Sequence, residues 1–365
     1  MSQNIRVKMK QWNGTDFDEV YPNASNGVMA QIIVTPNVKF TSVQVTTPSE
    51  ETLDGILSND KWIFEINEYG EYHITGKGSE PASKNLTIDA CKQYEVDLGT
   101  KKFNNYTWAE IREASDNGTA SSLWAVGDAK QITINGTIGK KSYSNYKPWV
   151  YILGFNHNAE KEGDNRIHFG CFRSSETYSA TNSIALDDSK YELNVDSTGY
   201  FSMNSTDTNS GGWKSSQMRT IVLGADATSP SSAANNTFLK ALPSDLKAVM
   251  KQCAKYTSNS DEIGNSASYV TATNDWVWLL SEFEVLGSRT YANSAEQNYQ
   301  EQYQYYKNGN SKKKYKQSSP VNNVYWLCRS PYAAASLYFC RISSGGTANN
   351  AKGNTSNGVA PGFCV

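Results

Sequence analysis

The chain is poor in the residues that most often carry chemistry. It holds 3 His in 365 residues, so imidazole catalysis has few candidates, and neither a Gly-x-Ser-x-Gly elbow nor a His-Glu-x-x-His pair occurs. Its 6 Cys are too sparse for a disulfide scaffold, and none falls in a Cys-x-x-Cys pair, which removes the usual zinc and redox motifs. No apolar run reaches the ~18 residues of a membrane-spanning helix. The opening MSQNIRVKMKQW has no apolar core or small-residue cleavage site of a signal peptide. TIGKKS resembles the end of a phosphate loop, but Ile134 stands where its first Gly is needed and Lys141 displaces the hydroxyl residue. Acidic residues stop at Glu301; residues 302–365 carry eight Lys and Arg and none.

Aromatics are abundant, with 22 Tyr and 9 Trp, and 38% of residues are apolar. Such a chain can bury a core, and its length exceeds one average domain. Residues 1–34 are short and mixed, with a turn at Asn13-Gly14, and suit an attachment or oligomerisation segment. VKFTSVQV, KWIFEI, EYHITG and KQYEVDL alternate over 35–100, with turns at Ser58-Asn59-Asp60, Tyr69-Gly70 and Gly76-Lys77-Gly78. This spacing predicts a small immunoglobulin-like β-sandwich, linked through Gly99–Lys102 to one long α+β domain over 101–365. There, TWAEIREAS reads as a helix stopped at Asn117-Gly118. LPSDLKAVMKQCAKYT reads as the clearest helix, capped by Ser244 or Asp245, with Leu246, Val249, Met250 and Cys253 as its stripe. PWVYILGF, NRIHFGCF, VYWLCRSP, LYFCRI and GVAPGFCV read as strands, and 180–237 as long ordered loops.

Several groups are candidates for chemistry. His157, Glu160, Glu162, Asp164 and His168 could hold a divalent ion, but their spacing matches no defined site, and a strand–turn–strand with charges at the turn is favoured. Cys253, Cys328, Cys340 and Cys364 read as buried core, with a copper-binding or nucleophilic pair as the sharper alternative. Glu282 and Glu284 share a face if SEFEV is a strand, and read as structural. YQYYKNGNSKKKYK interleaves Lys with Tyr303, Tyr305, Tyr306 and Tyr315, which suits single-stranded nucleic acid or a solvated loop. From Tyr332 to Asn357 the chain is written mostly in Ala, Ser, Gly, Asn, Thr and Tyr. That alphabet serves antibody-like recognition surfaces, Tyr giving rigid contact area and the small polar residues adaptable hydrogen bonds. Apolar blocks on both sides imply display on a rigid frame.

WLCRSP, then FC, then NGVAPGFCV resembles the C-terminal pattern of variable proteins diversified by diversity-generating retroelements. TWAEIREASDNGTASSLWAVGDAK, GFNHN, GGWKSSQMR, LPSDLK and LLSEFEVLG resemble further blocks of that family, so the likeness covers about 105–365. Related sequences more often carry Trp-Trp-Leu-Arg at the first bookend, so Cys328 is a departure. The resemblance implies a C-type-lectin-like fold, related to that of formylglycine-generating enzymes, and ligand binding through side chains varied by adenine-directed mutagenesis. The positions it implies as variable are Tyr332, Ala333, Ala335, Leu337, Tyr338, Arg341, Ser343, Gly346, Asn349, Asn350, Lys352 and Asn354, with Tyr332, Tyr338 and Arg341 as anchors. VKMKQWNGTDFDEVYP is similar to the opening of phage virion proteins, and WIFEINEYGEYHITG and CKQYEVDL to small immunoglobulin-like domains of phage tails.

These likenesses imply a receptor-binding protein of a phage tail, assembled in the host cytoplasm. It would bind a host-surface protein or glycan and other virion proteins, as a homo-oligomer, expected to be a trimer. No catalytic residue, cofactor, metal, nucleic acid or membrane insertion is expected. The alternatives are an oxidase of the formylglycine-generating type, using Cys328 and Cys340 with copper, and a nucleic-acid-binding protein using the basic tail.

Overall fold

The computed structural model describes residues 30–78, 81–99, 101–187 and 201–365, and residues 9–12 and 17–20 by backbone alone. The chain divides into two compact units, Met1–Asn105 and Tyr106–Val365. It is a strand-rich α+β protein built from several small sheets.

In the N-terminal unit, strict alternation produces two four-stranded sheets that share one apolar core. One runs in the order Gln93–Leu98, Ala30–Pro36, Lys61–Ile66, Ile56–Ser58, its first pair parallel. The other runs Thr52–Asp54, Phe40–Thr46, Gly70–Gly78, Ala82–Ile88, all antiparallel. Every second residue points inward: Ile32 and Val34, Val43 and Val45, Phe64 and Ile66, Tyr72 and Ile74, Val96 and Leu98 are all buried. The expected turn at Gly76-Lys77-Gly78 is instead the end of a strand. Gly76 serves there as space, because the Phe40 ring lies 2.6 Å from where a Cβ would stand. Most of the 1–34 segment lies outside the described residues, including the Asn13-Gly14 turn; Met9–Trp12 pairs with Phe17–Val20, and Ala30 onward is already sandwich. Thr100 of the expected linker is likewise outside them.

The C-terminal unit centres on a five-stranded antiparallel sheet in the order Ala129–Gln131, Trp149–Phe155, Ile167–Arg173, Pro361–Cys364, Val277–Leu279. Ile167–Arg173 is buried along its whole length, as the near-continuous apolar run IHFGCF requires. Against this sheet lies the helix Trp108–Asp116, whose Trp108 and Ile111 are buried. Thr107 and Glu110 close a capping box at its start, and Gly118 follows its end at a positive φ of 69°. A second sheet, Trp326–Pro331, Tyr338–Ile342 and Ala348–Lys352, is antiparallel throughout. Among the expected loops of 180–237, residues 188–200 are outside the described set; the rest contain short helical turns at Gly212–Ser215, Met218–Leu223 and Pro230–Ser232.

Two expectations are corrected here. The long helix expected over LPSDLKAVMKQCAKYT is one turn, Ser244–Lys247, followed by a strand, Cys253–Ser258, paired with Val270–Asp275. Pro243 rather than Ser244 or Asp245 holds the cap position. Lys255 is buried, so the inward positions are Cys253, Lys255 and Thr257, a period of two that a polar residue disguises. SEFEV is a helix, Glu282–Leu286, with Ser281 and Glu284 forming a capping box and Gly287 closing it in the left-handed conformation.

Candidate functional site

The loop Tyr332–Leu337 joins the first two strands of the three-stranded sheet, and its backbone is pinned from one direction. The Asn209 side-chain amide donates to the carbonyls of Tyr332 (3.2 Å), Ala335 (2.9 Å) and Tyr338 (2.8 Å). The Asn209 backbone N–H donates to Ser336 at 2.8 Å. Asn209 is itself buried, so one residue fixes the loop as a rigid arch. On the arch the rings of Tyr332 and Tyr338 meet edge to face, 6.3 Å apart, and Tyr332 meets Tyr291 in the same way at 5.2 Å. Glu282 holds Tyr291 in place by accepting the N–H groups of Tyr291 and Ala292. Leu337 is exposed at 41%, while Tyr332, Ala333, Ala335 and Tyr338 are half-buried.

The remaining candidate positions divide by strand register. Tyr338 pairs with Lys352 and Cys340 with Asn350, whereas Arg341 pairs with Asn349, and alternation sends these sets to opposite faces. Lys352 meets Asp207 at 3.3 Å. Arg341, half-buried, lies over the Tyr325 ring at 4.2 Å and donates to Asn349 and Asn357. Ser343 is buried and hydrogen-bonded to Thr347 across the turn that Gly346 makes at φ 86°. It shapes the hairpin rather than facing out. Asn354 is half-buried, with an amide oxygen that lacks a partner.

Behind this surface is a buried charge network. Lys255 Nζ donates to Glu162 (2.6 Å), Glu284 (3.3 Å) and the Tyr303 hydroxyl (3.0 Å). Arg329 clasps Glu284 with both terminal nitrogens and donates to Thr257 and to the Leu279 carbonyl. His168 Nδ1 contacts the Tyr303 hydroxyl at 3.2 Å, and His157 stacks on the Tyr303 ring at 3.8 Å. Two cations thus face two carboxylates. Burial pushes Glu162 up to about 7 against the pull of Lys255. Burial also works to lower Lys255, but Cys253, Glu162 and Glu284 outweigh it and hold the amine well above its usual value. Glu284 resists burial through Arg329 and Lys255 and stays well below the usual carboxylate range. Burial pushes His157 down to about 3 and His168 well below its usual value.

The five residues of the expected ion cluster therefore part company. His157, Glu162 and His168 come together in the core, while Glu160 and Asp164 are exposed. The sets Glu162–His168–Cys253 and His157–Glu162–Glu284 each bring ligand atoms within 4.8 Å, the compactness a divalent cation needs. Lys255, between Glu162 and Glu284, already supplies positive charge at that point. Cys328 and Cys340 are fully buried, and burial with the nearby Glu282 carboxylate raises both thiols well above their usual value, which keeps them in the protonated form that is the poorer ligand and nucleophile. Tyr303, Tyr305 and Tyr306 are all core residues, so they form no exposed stack between the Lys residues that neighbour them in sequence.

A family model described as a domain of unknown function (DUF6273) matches residues 193–365. No curated protein matches the chain. The matched span contains the Tyr332–Leu337 arch, Asn209 that pins it, and Lys255, Glu284 and Arg329 of the network; His157, Glu162 and His168 lie before it. Sequence reasoning misses Asn209 and Tyr291 because each is a single polar or aromatic residue far from the segment it supports. It misses Lys255 and Arg329 because a buried cation looks like a surface one until its partners are known.

Proposed function

We propose that this chain is a ligand-recognition protein, a receptor-binding component of a phage tail, whose C-terminal unit has a C-type-lectin-like fold and displays a variable surface around Tyr332–Asn354. The observation that carries the reading is the Tyr291–Tyr332–Tyr338 aromatic group with exposed Leu337, on an arch fixed by Asn209. Rigid aromatic side chains that stay half-exposed give contact area at little entropic cost, and a fixed backbone lets side chains change without loss of the frame. The Ala, Ser and Asn residues beside them fit a surface in which individual positions are interchangeable. Binding proceeds without bond chemistry. Tyr332, Tyr338 and Leu337 are the anchors, and Asn350 and Lys352 lie on the same strand face as Tyr338. Homo-oligomerisation, as a trimer, would multiply a modest single-site affinity.

The test is a binding screen of the full chain against arrays of bacterial surface glycans and cell-envelope proteins. The double variant Tyr332→Ala/Tyr338→Ala is expected to lose at least about tenfold in affinity for whatever is captured, with its melting temperature close to that of the parent. Equal binding by parent and variant would remove this surface from the reading. A reverse-transcriptase gene nearby, with a template copy of the 325–365 coding region differing only at adenines, is the matching genomic expectation.

A further inference from the structure

The paired strands Cys253–Ser258 and Val270–Asp275 are joined by residues 259–269, and this connection shares both supports of the arch. One support is Asn209–Gly211. Asn209 holds the carbonyls of Tyr332, Ala335 and Tyr338, the Ser210 hydroxyl donates to the Asp261 carboxylate, and the Gly211 N–H donates to the Ser260 carbonyl at 3.2 Å. The other support is Tyr291–Ser294. The Tyr291 carbonyl accepts the Ala333 N–H at 2.9 Å. The Asn293 amide donates to the Ser266 carbonyl at 2.9 Å, and the Ser294 N–H donates to the Asn265 side chain at 2.7 Å. Only two backbone steps of about 3.8 Å each, from Asn209 to Gly211, separate the bond to Ser336 from the bond to Ser260, so loop and arch are neighbours. Ile263 is 50% exposed, and Asp261 and Glu262 are exposed beside it. Among the described residues neither carboxylate forms an ion pair, not even with exposed Lys214 on the adjoining turn Gly212–Ser215. The Lys352 ammonium, by contrast, is already answered by Asp207.

A loop hydrogen-bonded at both ends that still shows an aliphatic side chain and two unanswered carboxylates is built for contact rather than for packing. We propose that Ser260–Ser266 is a second wall of the recognition surface, and that the partner is a protein whose contact patch carries Lys or Arg beside apolar side chains. The assignment rests on the recognition role proposed for the arch. Ile263 and Leu337 add aliphatic area, which gains by burial against other apolar groups and little against hydroxyl-covered sugar. A protein interface covers roughly 800 Å² on each partner, a patch about 30 Å across, so a protein seated on the arch reaches the loop as well. Asp261 and Glu262 draw a basic patch in during approach and give charge-assisted hydrogen bonds on contact. Because the loop lies outside Tyr332–Asn354, its preference for cations holds whatever side chains the arch displays.

The probe is a library of short random peptides displayed on ribosomes and selected on the immobilised full chain, with the strongest binder resynthesised for titration. Recovered peptides should be enriched in Lys and Arg next to Leu, Ile or Phe. Affinity for the resynthesised peptide should fall at least about tenfold in Asp261→Asn/Glu262→Gln and in Ile263→Ser, and the salt dependence of binding should flatten in the first variant alone. The three side chains are exposed, so both variants should melt like the parent. Recovered peptides without basic residues, or no recovered peptide, overturn the assignment of the partner. Parental affinity in either folded variant overturns the role of the loop. Binding lost in Tyr332→Ala/Tyr338→Ala but kept in the loop variants removes this inference and leaves the arch standing; binding kept in the tyrosine variant but lost in the loop variants removes the arch instead.

Discussion

His157 and His168 lie 5.5 Å apart beside Tyr303, each buried with an Nε2 that has no partner. Burial holds His157 down to about 3, whereas an unfolded imidazole titrates near 6.5. As pH falls through 6.5 the unfolded chain takes a proton that the folded chain refuses until about 3, so this group's contribution to stability is full above 6.5 and lost below it. Glu162 acts oppositely, favouring the folded state below its unfolded value and losing that favour as pH rises toward 7. A comparison with His157→Phe, which keeps the stack on Tyr303, isolates the imidazole. The parent is expected to lose up to about 2 kcal/mol more than the variant between pH 6.5 and 5, measured as the difference in denaturant-unfolding free energy at the two pH values. Parallel pH profiles would mean that His157 is protonated in the folded chain. Of this network, His157, Glu162 and His168 are legible in the sequence as a group, because they fall within one short block, and Glu284 only as a structural carboxylate. Lys255, Glu284 and Arg329 are brought to them by three separate elements, and local spacing carries no trace of that.

At the scale of elements, legibility follows how far local pattern and burial agree. Trp108–Asp116 is readable from TWAEIREAS and its stop at Asn117-Gly118, because such stops act on neighbouring backbone. The strands Trp149–Phe155, Ile167–Arg173 and Trp326–Pro331 are readable because both their faces are buried and apolar residues predominate in each. Ser244–Ser258 misleads because Leu246, Val249, Met250 and Cys253 match a helical period by coincidence, while Lys255, an inward strand position, reads as polar. The Tyr332–Leu337 arch shows its alphabet in the sequence but not its support. Asn209→Ala removes the amide that holds three carbonyls and is expected to cost about 1–3 kcal/mol. Hydrogen exchange should show residues 332–338 losing protection while the core strand Trp326–Pro331 keeps it. Ligand capture should weaken in parallel with that local opening, and unchanged exchange in 332–338 would show that the arch stands without Asn209.

For the whole molecule, the two-unit division predicts that damage stays within the unit that receives it. Pro361–Cys364 is the fourth strand of the five-stranded sheet, between Ile167–Arg173 and the edge strand Val277–Leu279, and Gly362 is packed so closely that the Trp278 indole nitrogen is 3.0 Å from the position of a Cβ. Chain termination at Pro361 should therefore unfold the C-terminal unit, with loss of the near-ultraviolet signal of buried Trp213, Trp278 and Trp326. Amide protection over residues 30–99 should persist; its collapse would show that the sandwich needs the second unit. The position of that strand also bears on synthesis. Residues 129–173 can pair as soon as they leave the ribosome, but Val277–Leu279 has nothing to join it to their strands until residues 361–364 emerge. The N-terminal sandwich can fold while translation continues. The C-terminal unit must wait for residues 361–364 to enter its sheet, holding apolar strands open until they do, which is when a chaperone has most to do.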